Sequence, residues 1–413
     1  MGIEGEEMVA VPMTRAAQKK KVWTGARAIA EAVKIADVDV ISAYPIRPYT
    51  GIMNSLADMI AGGDFRAELI VADSEHSQFE IVKHASAVGA RTFAGSSGVG
   101  LAFGAEAIVV TALGQLPVVA VAGCRALDDP GNFGMEWNDV LMFRDVGWLV
   151  SWAKDPQEAL DMTLVAYRTA EDGRVLLPHF ITVDGAVVTH ISTQVEPPAK
   201  KNVAEFLPPY RPPYPLDPAY GPVTKAEHIA PSLIGPEQRK RIDVAMKSSR
   251  EVIVEAWKDY ETYAGRRYEP FMEETMMEDA DIALIGMGAY TKDAIYAARK
   301  MREKGIKAGV IRLRYWRPFP YEELRDAMDG VKAAGVLDFS YSYGAPYSGG
   351  VLYNEVRSAL YGATNVPIAG FVLAGGREPT VKNFERAIEI VNDAAKGREF
   401  KSVSWLTVRG EDI

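Results

Sequence analysis

Short apolar runs recur along the first half of the chain: Val38–Ala43, Glu68–Ala72, Arg91–Ser96, Leu116–Gly123, Trp148–Trp152 and Val175–Val183. Most of the gaps between them are long enough to hold a helix. Parallel strands need such crossovers. Strands buried on both faces are continuously apolar rather than alternating. The pattern therefore predicts an α/β unit, a parallel sheet with helices on both faces. Trp23–Asp37 is the first expected helix, with Thr24 as N-cap and Ile29, Ala32, Val33 and Ala36 on one face. Further helices are expected at Gly51–Gly62, from Asp73-Ser-Glu-His-Ser77 through Val88, from Ser96-Ser-Gly-Val-Gly100 through Ala112, and at Pro156–Asp172.

A length of 413 residues leaves room for two or three domains. Pro197–Pro222 carries nine prolines and no apolar period, which predicts an extended, semi-rigid linker. Glu237–Tyr263 is a long charged helix. A second α/β unit begins at Asp281–Gly286, continues through the helix Lys292–Lys304 and the strand Gly309–Leu313, and adds strands at Val331–Asp338 and Ile368–Val372; Arg377–Ala395 contains the last helix. The expected division is an extension at 1–22, a first domain at 23–196, a Pro-rich linker at 197–236 and a second domain at 237–413. Gly286-Met-Gly288 resembles half of a dinucleotide fingerprint, but Thr291 stands where the third glycine belongs, so a plain tight turn is the better reading.

A net charge of −9 argues against nucleic acid as a partner. The most apolar stretch, Ala107–Cys124, is interrupted by Gly114-Gln-Leu-Pro117, so no membrane span is expected. The N-terminus lacks the basic-then-apolar order of a signal peptide, and a cytoplasmic location is expected. Cys124 is the only cysteine. One thiol excludes a disulfide framework and an iron–sulfur cluster held by this chain alone.

Chemistry concentrates at one edge of the first sheet. In Val40–Gly51, Pro45 and Pro48 stop the strand and leave Arg47 between them. Glu75 follows the next strand and Arg125 the fourth. In a parallel sheet all three lie at the carboxyl edge, where ligands bind. A carboxylate between two arginines suits either a structural ion-pair site or an anionic substrate with one general acid. The acidic, turn-rich segment Asp128-Asp-Pro-Gly-Asn-Phe-Gly134 follows a buried strand and is expected at the same edge.

Ser42-Ala-Tyr-Pro-Ile-Arg-Pro48, Asp73-Ser-Glu-His-Ser77, Gly89-Ala-Arg-Thr-Phe-Ala-Gly-Ser-Ser97, Arg144-Asp-Val-Gly-Trp148 and Arg314-Tyr-Trp-Arg-Pro-Phe-Pro320 occur in that order. Together they resemble the α subunit of the thiamine-diphosphate-dependent 2-oxoacid:ferredoxin oxidoreductases. The resemblance runs from about Trp23 to about Ala395. It implies a pyrimidine-type thiamine-diphosphate domain followed by a domain like the carboxy-terminal domain of transketolases. It also implies roles for matching positions. Glu75 hydrogen-bonds the aminopyrimidine, beside Pro45, Ile46 and Arg47. Arg125 meets the substrate carboxylate. Apart from these matches, Tyr44 and Arg47 are also expected at the substrate. The chain has no Gly-Asp-Gly segment followed by asparagine for diphosphate and Mg²⁺, and no metal ligands of its own are expected. The resemblance therefore calls for a β subunit carrying the diphosphate–Mg²⁺ site and a cluster, a ferredoxin-like cluster subunit, [4Fe-4S] clusters in those partners only, ferredoxin as acceptor, and a dimer of heteromers.

This sequence departs from the family pattern at Arg47, where relatives usually carry Thr or Ser, and at the acidic pair Asp128–Asp129. An arginine pairs poorly with an apolar acyl tail and well with a second carboxylate. Arg47 and Arg125 together suit a dianion, of which oxalate is the smallest. The expected reaction is oxidation of oxalate to two CO2 without coenzyme A. Asp128, Asp129 and Phe133 are expected to form a mobile loop in which Asp128 and Phe133 exchange places near the substrate. The alternatives are a 2-oxoacid oxidoreductase that makes acyl-CoA from pyruvate or a related acid, a non-catalytic scaffold subunit, and, distantly, a nicotinamide dehydrogenase.

Overall fold

The computed structural model describes residues 19–128, 131–223 and 231–410. The first unit runs β1 (Lys21–Thr24), α1 (Gly25–Ile35), β2 (Val40–Ala43), α2 (Thr50–Ala61), β3 (Glu68–Val71), α3 (Glu75–Ala87), β4 (Thr92–Ser96), α4 (Val99–Phe103), α5 (Ala105–Leu113), β5 (Val119–Gly123), α6 (Asn138–Leu141), β6 (Leu149–Ala153), α7 (Pro156–Ala170), β7 (His179–Val183), α8 (Gly185–Thr189) and β8 (Ser192–Val195). There follow α9 (Lys200–Phe206), α10 (Pro231–Ala264), β9 (Met272–Thr275), β10 (Ile282–Met287), α11 (Thr291–Glu303), β11 (Ala308–Leu313), β12 (Tyr315–Arg317), α12 (Tyr321–Ala327), β13 (Ala333–Asp338), α13 (Val351–Leu360), β14 (Ile368–Val372), α14 (Val381–Ala395) and β15 (Val403–Trp405).

The first sheet has the order β12-β6-β7-β5-β4-β2-β3 and is parallel except at β12. Its two faces differ. Phe93, Val119, Val121, Ile181 and Val183 meet α1, α2 and α7, while Ala94, Ala120 and Ala122 face α3 to α5. The chain steps outward from β2 to β3 and returns on the other side of β2 as β4. That reversal opens a crevice at the carboxyl ends of β2 and β4, the usual ligand position in a doubly wound sheet.

Local signals explain several boundaries. Thr24 accepts a hydrogen bond from the Arg27 amide at 3.2 Å and caps α1. The helix expected from Trp23 begins at Gly25 instead, because Trp23 and Thr24 end a strand, Lys21–Thr24, that pairs antiparallel with Ser192–Val195. The helix expected through Ala112 is interrupted at Gly104, where Phe79 packs so closely that a β-carbon would not fit. Asp155 caps α7 by accepting from the Glu158 amide at 3.0 Å, and Pro156 occupies its first turn.

The proline-rich segment is not a free spacer. Val203 and Phe206 of α9 are buried, Arg91 Nη2 donates to Pro208 O at 2.6 Å, and the Leu216 amide donates to Ala87 O at 3.1 Å. Prolines exclude a regular ladder, yet their carbonyls still bind the first unit. Residues 224–230 of the expected linker and most of the expected 1–22 extension lie outside the described residues. The helix assigned from sequence to the second unit, α10, packs on the first: Ile253, Ala256, Trp257 and Tyr260 share a core with α1 and α7.

The second sheet has the order β15-β14-β13-β10-β11-β9, parallel except at β9. Two devices bind it to the first unit. β12 adds an antiparallel edge strand to the first sheet. Beside it, Arg312 Nη2 and Arg314 Nε donate to the buried Glu158 at 2.7 and 2.6 Å. Burial alone would raise the Glu158 pKa, but Arg312, Arg314 and Lys154 outweigh it and lower it to about 2. The turn Gly286-Met-Gly288 is the second device. Gly288 has φ +68°, and a β-carbon there would strike the Asp184 carboxylate. Asp184 accepts from the Ala289 amide at 2.5 Å and from the indoles of Trp137 and Trp152 at 3.0 and 3.1 Å. The turn's amide edge is thus spent on a protein carboxylate, and the dinucleotide reading fails. Among the described residues, no helix is long and apolar enough to cross a membrane.

Candidate active site

The crevice at the ends of β2 and β4 is bridged by a residue the sequence reading did not single out. Gln78, buried on α3, accepts from the Tyr44 amide at 2.5 Å and donates to Gly95 O at 2.7 Å. It ties the end of β2 to the end of β4. Its signal was its spacing: Gln78 lies three residues after Glu75, so both share one helix face.

Glu75 begins α3 behind Ser74, which caps the helix through the Ser77 amide at 3.2 Å. The helix N-terminus favours its negative form. Burial works the other way. The side chain is 4% exposed, and desolvation raises its pKa, with a backbone hydrogen bond and Arg125 partly opposing the rise. The carboxyl reaches Gly100, where any β-carbon would collide with Glu75 Oε1, Ser96 Oγ and Ile46 Cδ1. Three groups from three elements therefore converge on a glycine.

Arg125 leaves β5 nearly buried, with its side chain against Gly98, whose φ is +54°. Asp139 fixes both backbones, accepting from the Gly98 amide at 2.8 Å and the Arg125 amide at 3.1 Å. Asp139 is fully buried and its pKa is pushed up to about 7 by desolvation. No periodicity or motif pointed to it. Arg125 itself has its pKa lowered by burial, with Asp139, Asp128 and Glu75 opposing.

Arg47 is exposed in this chain. Its Cζ lies 5.9 Å from the Phe133 ring centroid, and Arg125 Cζ lies 5.3 Å from the same centroid. The structure thus brings the two arginines to one aromatic ring. Arg47, Pro48, Phe133, Ala186 and His190 line a cavity of about 180 Å³. Tyr44 and Ile46 are half-buried on the turn and Pro45 is exposed. Asp128 is exposed and accepts from Asn132 Nδ2 at 2.9 Å, and its charge also acts on Arg125. Asp129 lies outside the described residues.

The residues present fit a thiamine aminopyrimidine. Glu75 supplies a buried carboxyl, Ile46 an apolar edge, and Gly100 the space. Ser96 Oγ and Ser97 Oγ are buried beside this spot and have no hydrogen-bond partner among the described residues. Also among the described residues, no group of three or more His, Cys, Asp or Glu is placed to hold a metal.

The chain is similar to known proteins along nearly its whole length. Residues 31–261 match the family model of the pyruvate flavodoxin/ferredoxin oxidoreductase thiamine-diphosphate-binding domain, and residues 280–384 match pyruvate:ferredoxin oxidoreductase core domain II. The chain is 35% identical to the pyruvate synthase subunit PorA of Pyrococcus furiosus over 396 residues, 95% of this chain and 98% of the relative. It is 34% identical to the ketoisovalerate oxidoreductase subunit VorA of Pyrococcus horikoshii, covering 94% and 97%. Among solved structures, a 2-oxoglutarate:ferredoxin oxidoreductase from Magnetococcus marinus matches with a TM-score of 0.69 at 18% identity, over 94% of this chain and 68% of that one. A split-gene transketolase matches with a TM-score of 0.55 at 13% identity, over 91% and 100%. Both structural matches speak for the fold alone. On its family models and its full-length relatives, the chain belongs to the thiamine-diphosphate-dependent 2-oxoacid:ferredoxin oxidoreductases, as an α subunit.

Proposed function

We propose that this α subunit serves an enzyme whose substrate is a small dianion with a carboxylate at each end, namely oxalate. The observation that carries the reading is the convergence of Arg47 and Arg125 on Phe133. Guanidinium groups bind carboxylates through paired, charge-assisted hydrogen bonds. A second cation beside the reacting carbon gains nothing from an apolar tail.

When bound, thiamine diphosphate supplies a nucleophilic carbon and then an electron sink. In this chain Glu75 holds a proton at the aminopyrimidine ring nitrogen, and burial, which raises its pKa, favours that protonated form. Gly100 leaves room for that carboxyl, and Gln78 keeps the crevice in register. Arg125 and Arg47 orient the substrate and offset its charge. The overall change balances without protons: the oxalate dianion becomes two CO2 and two electrons. Those electrons pass to iron–sulfur clusters in partner subunits, and no coenzyme A is consumed. The remaining half of the cofactor site, with Mg²⁺, belongs to a β subunit in a cytoplasmic assembly.

A second reading is an acyl-CoA-forming oxidoreductase for pyruvate or another 2-oxoacid. The named relatives favour it more than they favour oxalate. Their identities to this chain, 35% and 34%, are nearly equal although their named substrates differ. Overall similarity therefore weighs the reaction class more than the substrate. A scaffold role is disfavoured by the buried, ready-placed Glu75. The test is substrate-dependent dye reduction by the purified complex. Reduction with oxalate and no coenzyme A supports the first reading; reduction only with a 2-oxoacid plus coenzyme A supports the second.

A further inference from the structure

The segment bearing Phe133 is attached to the second unit. Glu136 is buried, at 2% exposure. One of its oxygens accepts from the Leu127 amide at 3.1 Å and the other from the Gly375 amide at 3.0 Å. Gly375 and its neighbour Gly376 follow β14 in the second sheet's unit, more than two hundred residues away in sequence. Gly376 has φ +84°, and a β-carbon on it would collide with the Asn132 side chain. A β-carbon on Gly134 would in turn collide with the Gly376 backbone. The neck is closed by the Ala126 amide donating to Gly134 O at 2.9 Å. Asn132 is also bound inward, accepting from the Gly134 amide at 3.1 Å. One step further on, Asn138 exchanges two hydrogen bonds with the Tyr341 backbone, each 2.9 Å, and the Trp137 amide donates to Phe339 O at 2.8 Å.

We propose that Glu136 is a positioning residue: by binding Leu127 and Gly375 at once, it seats Asn132–Gly134 on the Gly375–Gly376 turn and so places Phe133 over Arg47 and Arg125. The second unit thereby helps to shape the substrate site without touching the substrate. The chemistry of the tie is specific. A carboxylate offers an acceptor to each of two amides, whereas a glutamine of the same shape must turn an N–H toward one of them. A donor facing a donor in a buried place leaves both unsatisfied. Shape and packing are kept, and one of the two ties is lost. A Gly376→Ala change attacks the same contact from the other side, since both its positive φ and the Asn132 side chain oppose a β-carbon.

The inference rests on the proposed site only in taking the Phe133 face as the substrate face. It is tested on the assembled complex carrying Glu136→Gln, with Gly376→Ala as the second variant. Two measurements are made. Amide hydrogen exchange at Ala126, Leu127 and Gly134, whose amides donate within this segment, is read without any substrate, so its result does not depend on which acid the enzyme oxidises. KM and kcat are read with whichever substrate the wild-type complex turns over. The expected result is exchange faster by roughly tenfold in that segment alone, together with a KM raised by about three- to tenfold. The rate of thiamine C2 proton exchange should be unchanged, because Glu75 and Gly100 are not touched. Unchanged amide exchange in both variants would overturn the tie. Faster exchange with an unchanged KM would overturn its role in placing the substrate. A proportionate fall in C2 proton exchange would mean general damage to the fold and would also overturn the proposal.

Discussion

Replacing Arg47 by threonine is the most informative single change to the substrate site. Two interactions are lost. One is the contact with Phe133, at 5.9 Å from the ring centroid and exposed in this chain, worth about 0.5–1 kcal/mol. The other is a charge-assisted hydrogen bond to a substrate carboxylate, worth about 1.5–3 kcal/mol. The second dominates, and at about 1.4 kcal/mol per decade it predicts a fall of one to two decades in kcat/KM for oxalate. The change also removes a cation from beside the reacting carbon, where a methyl group could then sit. Any trace turnover of pyruvate should rise, modestly, because Arg125 is unchanged. The ratio of the two efficiencies should therefore move further than either alone. The assay is dye reduction by the assembled complex with each substrate, with and without coenzyme A. An equal fall on both substrates would reduce Arg47 to a residue that holds the turn. An unchanged oxalate efficiency would refute its role as a substrate ligand.

Glu75→Gln should leave the fold intact and slow thiamine C2 proton exchange by roughly 10² to 10⁴; exchange at the wild-type rate, followed by NMR, would contradict the assignment. Asp128→Ala should alter oxalate turnover, since the Asp128 charge acts on Arg125; unchanged turnover would make the segment a plain acidic surface turn. Glu158→Gln should destabilise the chain by ~3 kcal/mol at neutral pH, since it leaves Arg312 and Arg314 buried around a weakened partner. The Glu158 pKa is about 2, below its ordinary 4.5, so its contribution is full above about 4.5 and is lost as pH falls toward 2. Denaturant midpoints of wild type and variant should thus converge in acid; a gap that widens there would reverse the assignment.

The parallel sheet was legible because its strands are continuous apolar runs, and the carboxyl-edge positions of Arg47, Glu75 and Arg125 followed from strand order alone. What escaped reading depends on contacts distant in sequence. Gly286-Met-Gly288 carries the local signature of a ligand turn, and only the tertiary structure reveals Asp184 against it. The long helix α10 is locally indistinguishable from a member of the second unit; its burying face, with Trp257 and Tyr260, chooses the first. Asp139 and Glu136 are single carboxylates in a stretch without periodicity, and their importance lies entirely in the amides they meet. The proline-rich segment misled for a different reason. Its composition reports stiffness, while its docking rests on a few apolar side chains and backbone carbonyls.

The central claim is that two arginines in this α subunit hold a substrate with a carboxylate at each end. It is tested most directly by supplying the assembled complex with doubly ¹³C-labelled oxalate and a dye, without coenzyme A, and counting products against electrons. The account predicts two labelled CO2 for every two electrons, with no proton released. Failure to reduce the dye with oxalate, alongside one CO2, one proton and one acyl-CoA per two electrons from a 2-oxoacid, would contradict it.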